Sequence, residues 1–201
     1  MFVRVIYYAF AACLFLAPAT SQAVTVSFQG GPQTAEVINF SSGGFTVTAT
    51  ATEDGATALV GQNQTLGIGV NGTSINSDSI SPSNPDLEIL ILEFGSEIQV
   101  ETLTLSNVSA NDSFRLFADG VEVDSGNIED RSPGQTGSVR DVDFSSLAIT
   151  GTIFQITNGS SNNDVFSLAS FNFTAVPLPA PIALLLAGLA GLIVVGRKRI
   201  I

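Results

Sequence analysis

The polar segment from Asn71 to Glu88 holds the residues of this chain best suited to bind a metal ion. It contains carboxylates and side-chain amides, and it leads into a strongly apolar run at Leu87–Phe94. Calcium takes about six to eight oxygen ligands from such groups and from backbone carbonyls. The segment favours a polar loop in which Asn, Ser and Pro form turns. The alternative is a calcium site formed by Asn71, Asp78, Asp86 and Glu88.

Glu88 and Glu93 are the carboxylates that could form a glycosidase pair. Such a pair must lie on either side of the scissile bond. Because successive side chains of a strand point to opposite faces, the odd spacing separates these two. The chain has no His, and its single Cys, Cys13, lies near the N-terminus. Ser-His and Cys-His catalysis and ordinary zinc sites are therefore excluded from the rest of the chain. The sequence predicts a protein without enzymatic activity, and a secreted hydrolase is the third interpretation.

Carbohydrate binding is the second interpretation, although the aromatic residues argue against a strong conventional sugar platform. The chain has no Trp, and both Tyr residues, Tyr7 and Tyr8, lie at the N-terminal end. Phe can also stack on a sugar, but the Phe residues of the body lie in strand-like patterns and are expected in the core. They are Phe94, Phe114, Phe117, Phe144, Phe166, Phe171 and Phe173. A calcium-dependent carbohydrate-binding module therefore stays as the alternative function.

The region between the two apolar ends is strongly acidic. All 18 acidic residues lie there against three basic ones, Arg115, Arg131 and Arg140, which leaves a formal charge of −15. Phosphate binding requires clusters of Lys and Arg, so nucleic acid is excluded as a partner. The charge favours divalent cations, neutral sugars and solubility.

Short apolar runs separated by turn residues predict an all-β domain over residues 24–175. Phe45–Thr50 alternates strictly between apolar and polar residues, which indicates a half-buried strand. Leu87–Phe94 is apolar on both faces, which is typical of a central strand. We expect Ile98–Leu105 to pair beside it after a turn at Gly95-Ser96.

The segment around Asp119-Gly120 has the strongest hairpin pattern. Asp-Gly supplies the positive φ angles of a type I′ turn between Phe114–Ala118 and Val121–Val123. Further strands are predicted at Val24–Phe28, Val37–Asn39, Val139–Phe144, Thr152–Thr157 and Phe166–Thr174. Strands of this number and length predict an antiparallel β-sandwich, jelly-roll-like in its topology.

Residues 1–23 have the pattern of a secretory signal peptide. Arg4 precedes an apolar run from Val5 to Ala17, and small residues at Ser21 and Ala23 suit a signal peptidase, with cleavage after Ala23. A retained N-terminal membrane helix is the alternative, but the apolar run is short for one. The sequence therefore predicts an exported protein.

Residues 176–201 combine prolines, an apolar span and a basic end. Residues 180–196 carry no charge, and a helix of that length reaches roughly 25 Å, the low end of a bilayer core. Pro177 and Pro179 cannot lie inside a helix without loss of hydrogen bonds, so they mark where it begins. The basic residues Arg197, Lys198 and Arg199 are expected to stay in the cytoplasm, which places the body outside. A plain C-terminal anchor is the alternative.

The tail resembles the PEP-CTERM-type sorting signals of Gram-negative bacteria. Val176, Pro177, Leu178, Pro179 and Ala180 match the VPLPA variant letter for letter, and the apolar helix and the basic end follow in the same order. The resemblance implies that a membrane-embedded exosortase removes the tail. It also implies an inner-membrane intermediate, followed by transfer to the cell surface or to an extracellular polysaccharide matrix.

The ends and the body together predict an exported surface or matrix protein with a structural or adhesive role. Signal peptidase and the exosortase are the expected processing partners, and extracellular polysaccharide is the expected partner of the mature protein. Calcium is the one cofactor that the sequence suggests.

Overall fold

A computed structural model describes residues 22–71, 79–83, 86–159 and 164–177. The compact unit within them extends from Gln22 to Val176. Within these ranges there are thirteen strands and one short helix. They are β1 (Ala23–Ser27), β2 (Gln33–Ala35), β3 (Ile38–Ser42), β4 (Phe45–Glu53), β5 (Ala56–Asn63), β6 (Gly67–Asn71), β7 (Pro82–Ser83), β8 (Asp86–Ser106), β9 (Ser113–Ala118), β10 (Val121–Asn127), α1 (Ile128–Arg131), β11 (Arg140–Asp143), β12 (Thr150–Asn158) and β13 (Ser167–Ala175).

Strand β4 shows why the alternating sequence forms this structure. Its inward side chains, Val47, Ala49 and Ala51, are fully or almost fully buried, and the Thr residues between them point outward. Alternation of this kind gives a strand one apolar face for the core and one polar face for solvent. The strand predicted at Phe45–Thr50 is confirmed, and it continues to Glu53.

The predicted hairpin is also confirmed. Strands β9 and β10 pair antiparallel, with Ala118 opposite Val121. Asp119 and Gly120 both have positive φ, 48° and 82° respectively. These are the angles that a type I′ turn requires at its two central residues.

The turn predicted at Gly95-Ser96 is wrong. The chain instead runs as one strand, β8, from Asp86 to Ser106. Gly95 does not adopt the positive φ that a tight hairpin needs. The two halves of β8 therefore have different neighbours: residues 88–94 pair with β4, while residues 98–106 pair with β13.

The strands form a closed barrel of five, to which the others are added. Strand β8 pairs with β4, and the hydrogen-bonded order continues through β5, β6 and β13 back to β8. Strands β12, β9 and β10 extend outward from the first half of β8, and β1 lies beside β13. The named strand pairs are antiparallel, so the predicted all-β class is confirmed. The jelly-roll-like sandwich stays a prediction.

Aromatic side chains form the centre of the core. The rings of Phe94 and Phe173 lie 5.0 Å apart, and those of Phe94 and Phe154 lie 5.8 Å apart. Phe171 contacts both Phe94 and Phe154, at 5.3 and 5.5 Å. Six of the seven Phe residues expected in the core are buried. Phe117 is the exception, because it lies in the outward register of β9 and is only half-buried.

The first and last strands of the unit are neighbours. Ala23, the first residue of β1, lies opposite Thr174 in β13. The backbone N–H of Val176 donates to the carbonyl of Glu97 at 3.2 Å. In the described ranges, no helix is both long enough and apolar enough to cross a membrane. Most of the predicted signal peptide, residues 1–21, and the predicted membrane helix at 180–196 lie outside those ranges.

Candidate ligand-binding face

The four residues predicted to bind calcium differ in their surroundings. Glu88 is fully buried, and its Oε2 accepts a hydrogen bond from the backbone N–H of Ser81 at 2.6 Å. Asn71 ends β6, and its side-chain amide donates to Thr34 Oγ1 at 3.5 Å. Asp86 begins β8, and Asp78 lies outside the described residues.

Glu88 and Asn71 therefore already have protein partners. Among the residues that the structure describes, no three acidic, Cys or His side chains come close enough together to hold a metal ion. The proposed ligand Asp78 lies outside these residues. The calcium site stays a prediction.

The proposed sorting residues lie at the end of the described chain. Val176 follows β13 and is half-buried, and Pro177 is exposed. Leu178, Pro179 and Ala180 lie beyond the described ranges, as do Arg197, Lys198 and Arg199. Ala23, the predicted cleavage position, is exposed at the start of β1.

The outward side chains of five neighbouring strands form a broad surface, which we call the outer face. Its central row crosses β4, β8, β12, β9 and β10 and consists of Thr50, Ile91, Gln155, Phe117 and Glu122. Neighbouring strands lie roughly 4.8 Å apart, so such a row extends over about 19 Å. The first four of these side chains are half-buried and Glu122 is exposed. The outer face thus mixes apolar and hydrogen-bonding groups.

Glu93 also points outward from β8 and is exposed, whereas Glu88 points inward. The odd spacing of these two carboxylates therefore places them on opposite faces of the strand, as the sequence predicted. This pair does not have the shared cleft that a glycosidase requires.

Arg115 is held in place on the outer face by two neighbours. Its Cζ atom lies 5.0 Å from the centroid of the Phe117 ring, in a cation–π contact. Its Nε and Nη2 both donate to Glu122 Oε2, at 3.1 and 2.5 Å. These bonds from Arg115 are the main reason that the pKa of Glu122 is lowered, since they favour the ionised carboxylate. The result is a guanidinium group with a fixed orientation.

A shallow groove of about 460 Å³ lies beside Arg115, on the β9–β10 hairpin. Its lining consists of Ser113, Phe114, Arg115, Ser125, Gly126, Asn127 and Gly159. Gly159 packs closely against Ser113 at one end of the groove, because a Cβ on Gly159 would lie 1.9 Å from Ser113 Oγ. The volume is within the usual range for a small-molecule site, about 300–1,000 Å³.

Two buried aspartates lie near Ser113, at one end of the groove, and one of them, Asp164, bonds to it. Asp164 is 1% exposed, and its Oδ2 accepts from Ser113 Oγ at 2.5 Å. Asp112 is 3% exposed, and its Oδ2 accepts from the backbone N–H of Ser109 at 2.7 Å. Burial raises the pKa of Asp112, and the nearby charge of Asp164 raises it further, against the opposite effect of backbone hydrogen bonds.

The raised pKa of Asp112 predicts that its carboxylate destabilises the domain at neutral pH. A group whose pKa is higher in the folded protein than in the unfolded one stabilises the fold at low pH. That contribution is lost as the pH rises from the unfolded-state pKa through the folded-state pKa. The Asn side chain in Asp112→Asn does not titrate. The substitution should therefore lower the free energy of unfolding more near pH 4 than near pH 7. Urea denaturation of both proteins at the two pH values measures this difference.

Asp130→Asn, at an exposed position of α1, is the control for loss of one carboxylate. A cost of Asp112→Asn that is equal at both pH values, or larger at neutral pH, contradicts the interpretation.

Comparison with known proteins identifies no relative of this chain. No family model matches it, no curated protein matches it, and no solved structure matches it.

Sequence reasoning missed Asp112, Asp164 and the groove. Ser113 and Asp164 are 51 positions apart, so nothing local in the sequence links them. For Arg115 there was a signal. In the run from Phe114 to Ala118 it shares its register with Phe117, which indicates that Phe117 points outward with it.

Proposed function

We propose that this chain is an exported bacterial surface or extracellular-matrix protein that an exosortase sorts, with a structural or adhesive role. The residues that support sorting are the VPLPA sequence at 176–180, the apolar span after it and the basic end. A cleavable signal peptide ahead of Ala23 fits the same route.

The observation that best supports this proposal is the pairing of the first and last strands. Ala23 lies directly opposite Thr174, so the two ends of the domain leave it side by side. Directly opposite residues of an antiparallel pair have Cα atoms only about 4.5–5.5 Å apart. Such a domain can be attached to a membrane through its N-terminal end, its C-terminal end or both. Removal of the signal peptide therefore need not change its orientation. The rest of its surface stays available outside the membrane.

A jelly-roll-like β-sandwich is the finer fold that belongs to this proposal. Its support is the change of partners along β8, which pairs with β4 over residues 88–94 and with β13 over residues 98–106. Strands that pass from one sheet to the other form the corners of such packings.

A carbohydrate-binding module is the second candidate. The outer face and its groove favour it over a passive matrix protein, because binding sites are concave and carry a few well-placed polar groups, here Arg115 beside the Phe117 ring. The sequence adds to this candidate a dependence on calcium at Asn71, Asp78, Asp86 and Glu88.

Fractionation in two matched hosts tests the sorting proposal. In a Gram-negative host that has an exosortase, we expect the body of the protein at the cell surface or in the matrix, where antibody reaches it on intact cells. In the same host without the exosortase, we expect it to stay in the inner membrane. An identical distribution in both hosts, or a cytoplasmic protein in either, contradicts the proposal.

A further inference from the structure

We propose that the groove beside Arg115 binds the hydroxyl groups of a neutral polysaccharide, and that the central row of the outer face extends this site. The inference rests on the proposed function only in one respect, namely that an exported matrix protein meets polysaccharide. It assigns a location and a ligand class to the adhesive role.

The side chains at the groove suit pairs of adjacent hydroxyls. A sugar hydroxyl both donates and accepts, so it is best recognised where donors and acceptors lie side by side. Arg115, Ser125 and Asn127 line the groove. Arg115 supplies N–H donors, and Asn127, whose Oδ1 accepts from the backbone N–H of Glu129, supplies the NH₂ donors of its amide. The Ser125 hydroxyl bonds to Glu122, so its oxygen serves a ligand as an acceptor. The carboxylate of Glu122 lies next to the Arg115 guanidinium and supplies acceptor oxygens.

The arrangement around Arg115 is already formed before any ligand binds. Phe117 supports the guanidinium from one side, and Glu122 holds its Nε and Nη2. A planar guanidinium fixed in this way loses little further freedom when it forms new hydrogen bonds. The site therefore requires little rearrangement on binding.

Charge selects a neutral ligand over a charged one. The body carries 18 acidic residues against three arginines, which repels a polyanion over the whole surface. The seven residues that line the groove include Arg115 and no carboxylate, and the neighbouring Glu122 carboxylate is already paired with Arg115, so a cation gains little there. The positive charge of Arg115 is balanced by Glu122. A neutral polymer rich in hydroxyl groups is neither repelled by the acidic surface nor dependent on an opposite charge in the groove.

The central row of the outer face gives a polymer room beyond the groove. From Phe117 it continues through Gln155 and Ile91 to Thr50, with apolar and polar side chains in turn. Sugar rings present C–H faces and hydroxyl edges, and such a row offers contacts to both. A chain of several sugar units can therefore lie across the strands.

Affinity electrophoresis of the purified full-length chain in detergent tests this inference. Dextran, mannan and hydroxyethyl cellulose in the gel are the neutral probes, and alginate is the anionic one. We expect at least one neutral polymer to retard the protein and alginate not to. Arg115→Met keeps the length of the side chain but removes its donors, and we expect it to weaken binding by about tenfold or more. Arg131→Met is the matched control, since Arg131 pairs with Asp124 and does not line the groove.

The groove contains no predicted calcium ligand, so we expect retardation to persist in EDTA. Four results overturn the inference: no retardation by any neutral polymer, retardation by alginate alone, equal affinity of Arg115→Met and the unchanged chain, or loss of binding in EDTA. The assay uses purified protein, so its result does not depend on sorting. Failure of the sorting proposal appears instead in the chemistry of the C-terminus.

Discussion

Phe171→Ala should remove most of the stability of the domain. Phe171 is completely buried, and its ring packs against Phe94 at 5.3 Å and Phe154 at 5.5 Å. Truncation of a buried Phe costs about 3–5 kcal/mol, because the cavity collapses only in part. Domains are typically stable by about 5–15 kcal/mol, so the loss is a large part of the total. At about 2–4 °C per kcal/mol for a domain of this size, the midpoint of thermal unfolding should fall by roughly 6–20 °C.

Phe117→Ala makes the same chemical change on the outer face and serves as its control. Phe117 is half-buried and is not part of the central aromatic cluster. Its loss removes a cation–π contact of about 0.5–1 kcal/mol and some surface packing, so its midpoint should fall much less. Equal losses in the two variants would mean that the aromatic cluster does not form the centre of the core.

The double substitution Pro177→Leu and Pro179→Leu should stop sorting. The resemblance of the tail assigns recognition to the VPLPA residues, and leucines in place of the prolines also let the predicted helix begin earlier. The span stays apolar, so the chain still enters the membrane. We expect the unprocessed protein to accumulate in the inner membrane, with most of the surface signal lost on intact cells.

Ala183→Leu is the control for that variant, since it adds a leucine inside the predicted helix and leaves the motif unchanged. It should be sorted normally. If the double variant reached the surface at the level of the unchanged protein, the prolines would not be part of the recognised signal. A plain anchor would then be favoured.

Local pattern was enough to predict most of the strands, but it missed β5 and β6 and did not give the connections. The alternation in β4 and the Asp119-Gly120 turn depend on neighbouring residues, and both are confirmed. The prediction of a turn at Gly95-Ser96 was wrong, because a glycine permits a turn without requiring one. Strand β12 pairs with β8 on both sides of Gly95, at Glu93 and at Ile98, and the chain stays extended between these two positions.

The candidate site depended on contacts between distant residues, which a single sequence does not show. Asp112 and Asp164 meet only because β9 pairs with β12 and brings the chain after Asn158 next to Ser113. Phe117 was assigned to the core from its residue type. Its register with Arg115, two positions earlier, was the better guide, since alternate residues of a strand share a face.

Mass spectrometry of the mature protein from its native host tests sorting most directly. The account predicts a C-terminus that ends near the VPLPA residues, with no peptide that contains Arg197, Lys198 and Arg199. Digestion with a protease that does not cleave after basic residues keeps the tail in one fragment, so its presence can be detected. Recovery of the mature surface protein with its chain intact through Ile201 would contradict the proposal and leave the tail as an ordinary anchor.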